Sequence, residues 1–112
     1  MTESSEVSPK AASEAIANGA LLIDVREKSE YDDVRIPGSV LIPLGDLPAR
    51  LAELPRDSDV VLVCHGGGRS SRATAWLLDQ GYSCRNITGG MVAYAAAGHP
   101  LESETGEPPI VD

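Results

Sequence analysis

At 112 residues the chain suits one compact core and is too short for two; 42% hydrophobic and 23% charged residues exclude a disordered polymer, and with no Phe the core must come from Leu, Val, Ile and Ala. Seventeen acidic against nine basic residues leave a formal charge of -8, which repels phosphate backbones and argues against nucleic acid as a partner. No apolar run approaches the ~20 residues of a membrane span, no basic-then-apolar leader opens the chain, and two cysteines fit a reducing compartment, so no membrane partner and a cytoplasmic location are expected.

Residues 1–7 read as a flexible polar tail, 8–101 as the domain, and 102–112 as an acidic tail, broken by Pro108-Pro109, that trails over the surface. Ser8-Pro9 predicts a helix start, with Ser8 as cap and Pro9 in the first turn. Ala12, Ala15 and Ile16 share its apolar face, and Gly19 is placed to end it. Residues 20–25 are apolar without alternation, the pattern of a strand covered on both faces; residues 40–42 and 60–63 repeat it. A short helix is predicted over 27–33. Leu47, Leu51 and Leu54 form a stripe that predicts another, with Asp46 as its cap. Ala73, Trp76 and Leu77 give 70–80 an apolar face that ends at Gly81, and 83–88 is a weaker fourth strand. Strand and helix alternate, so the expected class is α/β, a mostly parallel central sheet flanked by helices.

The stretch that carries chemistry is Val60-Val61-Leu62-Val63-Cys64-His65-Gly66-Gly67-Gly68-Arg69-Ser70-Ser71. A buried strand delivers Cys64 to its carboxyl end, the edge at which open α/β sheets bind ligands. Three glycines permit a tight turn with successive N–H groups aimed inward. The helix start adds free amides and the positive end of its dipole, and Arg69 adds a fixed charge. Cys64 is therefore expected at the mouth of an anion cradle that favours thiolate, the nucleophilic form. An inert core cysteine would need no such cradle.

Other candidates read more plainly. His65 either tunes the thiolate or the acceptor step or, the favoured reading, contributes its backbone N–H with its side chain toward solvent, and His99 is a solvated turn residue in Gly98-His99-Pro100. Cys84 is a small core residue, and Trp76 belongs to the core. Asp24 and Arg26 read as structural partners that brace the loop. Two cysteines and two histidines lack zinc-site spacing, so no metal is expected.

The chain resembles the rhodanese-like family over residues 8–101, on four elements in order. Leu22-Ile23-Asp24-Val25-Arg26-Glu27 is similar to the first signature. Glu30-Tyr31 followed by Ile36-Pro37-Gly38-Ser39 is similar to the second. Cys64 to Ser70 is similar to the active-site loop, and Asn86-Ile87-Thr88-Gly89-Gly90-Met91 with Ala93-Tyr94 resembles the closing signature. The resemblance implies a three-layer fold and a sulfurtransferase in which catalytic Cys64 carries sulfur as a persulfide. The donor would be thiosulfate or a persulfide, the acceptor cyanide or a thiol. It implies that His65, Gly66, Gly67, Gly68, Arg69 and Ser70 hold the anionic sulfur, with no metal or organic cofactor. A persulfide-sensing or partner-binding module without turnover is the alternative. Phosphatase or arsenate-reducing activity is disfavoured, because only four residues separate Cys64 from Arg69 and the phosphatase branch of the fold has one more. The chain departs from the pattern at Val34-Arg35, where Gly-His is usual. Val34 does not suit a left-handed turn, and Arg35 reads as a surface charge. Glu30, if it faces the pocket, would repel thiosulfate. With one arginine and no lysine in the loop, a protein persulfide is a further candidate donor.

Overall fold

The computed structural model describes residues 5–106 and 108–111. Among them, strands β1 (Glu6–Val7), β2 (Leu21–Asp24), β3 (Val40–Leu41), β4 (Val60–Val63) and β5 (Cys84–Ile87) form one sheet in the order β1-β5-β4-β2-β3. Every pairing in it is parallel, and the central register sets Leu21 beside Val60 and Asp24 beside Val63. Helices α1 (Pro9–Ala17), α2 (Lys28–Asp33) and α3 (Gly68–Asp79) make the crossovers together with two 3-10 turns, Leu44–Asp46 and Leu51–Glu53, and α4 (Gly90–Ala96) follows β5. The α/β class with a parallel sheet between helices is as expected from the sequence.

The unbroken apolar run of β4 reflects two cores, one on each face. Val60 and Leu62 pack with Ile23, Leu47, Ala73 and Leu77. Val61 and Val63 pack with Leu22, Ala12, Met91 and Tyr94 on the other side. All four β4 side chains are fully buried, each contributing about 1.5–3 kcal/mol of transfer free energy. Period-two alternation then puts Cys64, the next residue, on the face of Val60 and Leu62, beneath α3. Because every strand runs the same way, the turns after Asp24, Val63 and Ile87 gather at one edge.

The Ser8 side chain caps α1 by accepting the Ala11 amide at 3.1 Å, as its position predicts. Several boundaries differ from the sequence reading. Residues 6 and 7 are not tail but the edge strand β1, with Val7 buried. The Asn86 and Thr88 amides reach back to the Ser5 and Val7 carbonyls at 2.7 and 2.9 Å. The Leu47, Leu51, Leu54 stripe is not an α-helix but follows the two 3-10 turns. Pro48 has no N–H for a helical ladder, and Pro55 pushes Leu54 to extended backbone (φ -91°, ψ 129°). Helix α3 starts at Gly68 rather than Ser70, and α4 is a helix the sequence reading leaves unassigned.

The acidic C-terminal segment does not trail. Arg35 and Glu102 exchange backbone hydrogen bonds at 2.9 Å in an isolated antiparallel bridge, and the Glu104 amide donates to the Asp32 carbonyl at 2.9 Å. Val111 packs on the α1/α4-side core. No helix among the described residues is long and apolar enough to cross a membrane.

Candidate functional site

Cys64 follows the last residue of β4, and the chain turns at once into α3. Gly67 makes the turn possible: at φ 103° it occupies left-handed backbone, and its carbonyl accepts the first helical amide, Ser71 N–H, at 2.9 Å. The amides of Gly68, Arg69 and Ser70 therefore lie ahead of the α3 ladder, at the positive end of its dipole.

Two donors converge on the Cys64 sulfur. The Gly67 amide lies 3.1 Å and the Ser70 hydroxyl 3.3 Å from Sγ. The residue is only 1% exposed, so Cys64 is the floor of the loop and not its mouth as the sequence suggests. The loop is held from outside by α4, whose Met91 and Val92 amides donate to the Cys64 and His65 carbonyls at 2.8 and 3.1 Å. With those carbonyls drawn to α4, trans peptide geometry aims the N–H groups of His65 and Gly66 away from α4. Gly90 allows the approach. A Cβ there would lie 2.4 Å from the Cys64 carbonyl oxygen and 2.6 Å from that of His65.

Behind Ser70 runs a side-chain network that the sequence reading misses. The Ser70 hydroxyl is in hydrogen-bond reach of Asn86 Oδ1 as well as of Sγ, and Asn86 Nδ2 donates to both Glu6 carboxylate oxygens at 3.0 and 3.1 Å. Thr88 Oγ1 donates to the same carboxylate at 3.2 Å. The Gly67 carbonyl lies 3.3 Å from the same hydroxyl, which has one proton, so Ser70 donates to the sulfur, to that carbonyl or to Asn86 at any instant. The only sequence signal for this network is that Asn86 and Thr88 share a strand end with the Gly89-Gly90 pair.

Arg69 does not reach the sulfur in a hydrogen bond. Its Nη1 and Nη2 grip Glu30 Oε1 and Oε2 at 2.8 and 2.9 Å, tying the start of α3 to α2. Glu30 also accepts the Glu27 amide at 2.9 Å as half of a capping box. The Arg69 guanidinium holds the Glu30 carboxyl down from its ordinary 4.5 to about 2, with partial burial opposing and the Glu27 amide adding to the effect.

Asp24 and Arg26 form a buried pair, with Arg26 Nε and Nη2 donating to the carboxylate at 2.8–3.1 Å. Arg26 Nη2 also donates to the Val34 carbonyl at 2.6 Å. The pair thus braces the end of α2, not the Cys64 loop directly as expected. Val34 itself is extended (φ -158°), so the missing glycine imposes no left-handed turn. His65 is half-buried rather than turned to solvent. It lines a cavity of about 220 Å³ with Arg26, Glu30, Asp33, Val34, Ile110 and Val111. His99 packs its ring 4.7 Å from that of Tyr94 rather than standing free in a turn, and Trp76 is partly buried against the α3-side core. Cys84 is buried, its thiol donates to the Thr74 carbonyl at 3.6 Å, and burial pushes it up to about 11, consistent with a core residue. No three His, Cys, Asp or Glu side chains gather into a metal-binding group among the described residues.

A family profile described as a rhodanese-like domain matches residues 8–97. A sulfurtransferase of Allochromatium vinosum is 36% identical over 104 residues, covering 90% of this chain and 97% of its own. The thiosulfate sulfurtransferase GlpE of Pseudomonas savastanoi is 32% identical over 107 residues, covering 95% of this chain and all of its own (100%). Among solved structures, a rhodanese-related protein from Thermoplasma volcanium superposes with a TM-score of 0.82 at 27% identity, over 87% of this chain and 96% of that one. The profile match, the near-complete mutual coverage and the parallel sheet together mean that this chain belongs to the rhodanese-like domain family, alongside relatives named sulfurtransferases.

Proposed function

We propose that the protein is a sulfurtransferase that carries sulfane sulfur as a persulfide on Cys64. In the first half-reaction the Cys64 thiolate attacks the outer sulfur of a donor, thiosulfate or a persulfide. The donor's S–S bond breaks and its inner fragment leaves with the electron pair, as sulfite or a thiolate. In the second, cyanide or an acceptor thiolate attacks the outer sulfur of the Cys64 persulfide. The new S–S bond breaks, and the Cys64 thiolate is restored. Neither half needs an oxidant or a reductant. The acids and bases of the neighbourhood need only hold anions, which suits a loop built from backbone amides.

The observation that carries this reading is the convergence of the Gly67 amide and the Ser70 hydroxyl on one sulfur at the start of α3. Both are donors, and the sulfur is the acceptor they share. The expected anion holders are His65, Gly66, Gly67, Gly68, Arg69 and Ser70, of which Gly67 and Ser70 contact Sγ in the resting geometry. Arg69 acts by fixing the loop to Glu30. The alternative, a persulfide-sensing or partner-binding module without turnover, draws support from the near-complete burial of Cys64.

Turnover separates the two. Exposure to thiosulfate or an alkyl persulfide is expected to add one sulfur atom to Cys64, seen by mass spectrometry, and cyanide is expected to remove it as thiocyanate. Cys64→Ser is expected to abolish both steps with an unchanged circular dichroism spectrum. Thiocyanate production by Cys64→Ser at the wild-type rate would refute the assignment. Loading of Cys64 without transfer to any acceptor would favour the sensing module.

A further inference from the structure

The charges around the loop are already spent on one another. Arg69 holds both Glu30 oxygens, and Arg26 is committed to Asp24 and the Val34 carbonyl. Arg35, directly after Val34, pairs with Glu102 and Glu104. The cavity beside the loop is lined by the paired Arg26 and Glu30, by His65, and by one further carboxylate, Asp33, with Val34, Ile110 and Val111 as apolar wall. The two oxygens of Glu30 match the two terminal nitrogens of Arg69, so a sulfonate or phosphate seeking that guanidinium must first displace an internal carboxylate.

The two candidate donors place very different demands on such a site. Thiosulfate brings two negative charges to the thiolate, so three charges sit together throughout: Cys64–S⁻ with S–SO₃²⁻ gives Cys64–S–S⁻ with SO₃²⁻. A persulfide brings at most one: Cys64–S⁻ with R–S–SH gives Cys64–S–SH with R–S⁻, and with R–S–S⁻ gives Cys64–S–S⁻ with R–S⁻, so one or two charges are carried through. In each case the bond between the donor's sulfurs breaks and a bond from Sγ to the outer sulfur forms. We propose that Glu30 is a specificity-determining residue: by occupying Arg69 it disables the loop's arginine as an anion receptor, so that the site takes sulfur from persulfides of thiols in preference to thiosulfate. This rests on the reading of Cys64 as the sulfur acceptor. The cavity that includes His65, the residue after Cys64, also presents the Asp33 carboxylate, which disfavours a dianion more than a donor of lower charge.

The test compares single-turnover loading of Cys64 by thiosulfate and by the persulfide of mercaptoethanol, followed by mass spectrometry. In the wild-type protein the second-order rate constant is expected to be larger for the persulfide. In Glu30→Gln, which keeps the shape and an acceptor for the Glu27 amide, the ratio of thiosulfate to persulfide rates is expected to rise roughly tenfold, and added salt is expected to shrink that rise. A wild-type preference for thiosulfate overturns the proposal, with or without a folded variant. So does an unchanged ratio in a Glu30→Gln protein of native circular dichroism. Failure of both donors to load Cys64 would instead sink the sulfurtransferase reading itself, a result distinct from either.

Discussion

At the scale of single residues the site depends on atoms that are missing as much as on those present. Gly90 stands at φ 61°, and its missing side chain is the space into which the carbonyls of Cys64 and His65 fit. Adding one methyl brings carbon to within 2.8 Å of the Gly67 nitrogen as well, and that amide is one of the two donors on Sγ. Gly90→Ala is therefore expected to cost about 2–4 kcal/mol from left-handed strain and overpacking. It should also lower sulfur transfer on the order of tenfold or more, because the displaced loop misplaces Sγ. Urea unfolding and thiocyanate production measure the two effects. Retention of full activity would mean that α4 does not set the loop. Ser70 shows the same economy. Its one hydroxyl proton is shared among Sγ, the Gly67 carbonyl and Asn86, and Asn86 in turn holds Glu6, which couples the sulfur to an edge strand that sequence inspection assigns to a tail.

At the scale of elements, α2 has no buried residue and is held by polar contacts, chief among them the Glu30–Arg69 pair. The Glu30 carboxyl is held at about 2 in the folded protein against an ordinary 4.5, so the pair contributes fully above pH 4.5 and its contribution is lost as pH falls from there toward 2. Both side chains are about one-third exposed, and solvent screening limits the contribution to about 1 kcal/mol or less. The stability gap between wild type and Glu30→Gln is expected to be present at neutral pH and to close as the pH approaches 2. Urea unfolding across that range measures it, and a gap independent of pH would contradict the ion pair. The same scale shows what a sequence reveals. Strands β2 and β4 are legible because burial on both faces leaves an unbroken apolar run, and the turn from β4 into α3 is legible because three glycines have few other uses there. Strand β1 is illegible because two residues carry no periodicity. Its place depends on pairing with β5, eighty positions along the chain. The Leu47, Leu51, Leu54 spacing imitates a helix, and only Pro48 and Pro55 hint that the backbone cannot complete one. The Asn86–Glu6 contact and the pairing of Arg69 with Glu30 are long-range, so no local pattern announces them.

At the scale of the whole molecule, the departure at Val34-Arg35 has a structural consequence. Arg35 stitches the C-terminal segment to the rest: its backbone bridges Glu102, its side chain pairs with Glu102 and Glu104, and its guanidinium lies 4.9 Å over the Tyr31 ring. From there the chain returns to the cavity, where Ile110 and Val111 form one wall and His65 and Glu30 form the other. Ile110 stays 72% exposed while Val111 rests against the α1/α4-side core, so the Ile110 end of this wall is a lip with little burial to hold it closed. Removing its anchor tests the arrangement. Arg35→Ala is expected to speed hydrogen exchange at the Glu102 and Glu104 amides, which donate to the Arg35 and Asp32 carbonyls, while leaving the amides of β2 and β4 protected. Faster exchange confined to residues 102–106 would establish that stretch as a separately stable flap whose seating depends on one side chain. Unchanged exchange there would show that backbone pairing alone holds it, and that the arginine at this position has no part in shaping the cavity.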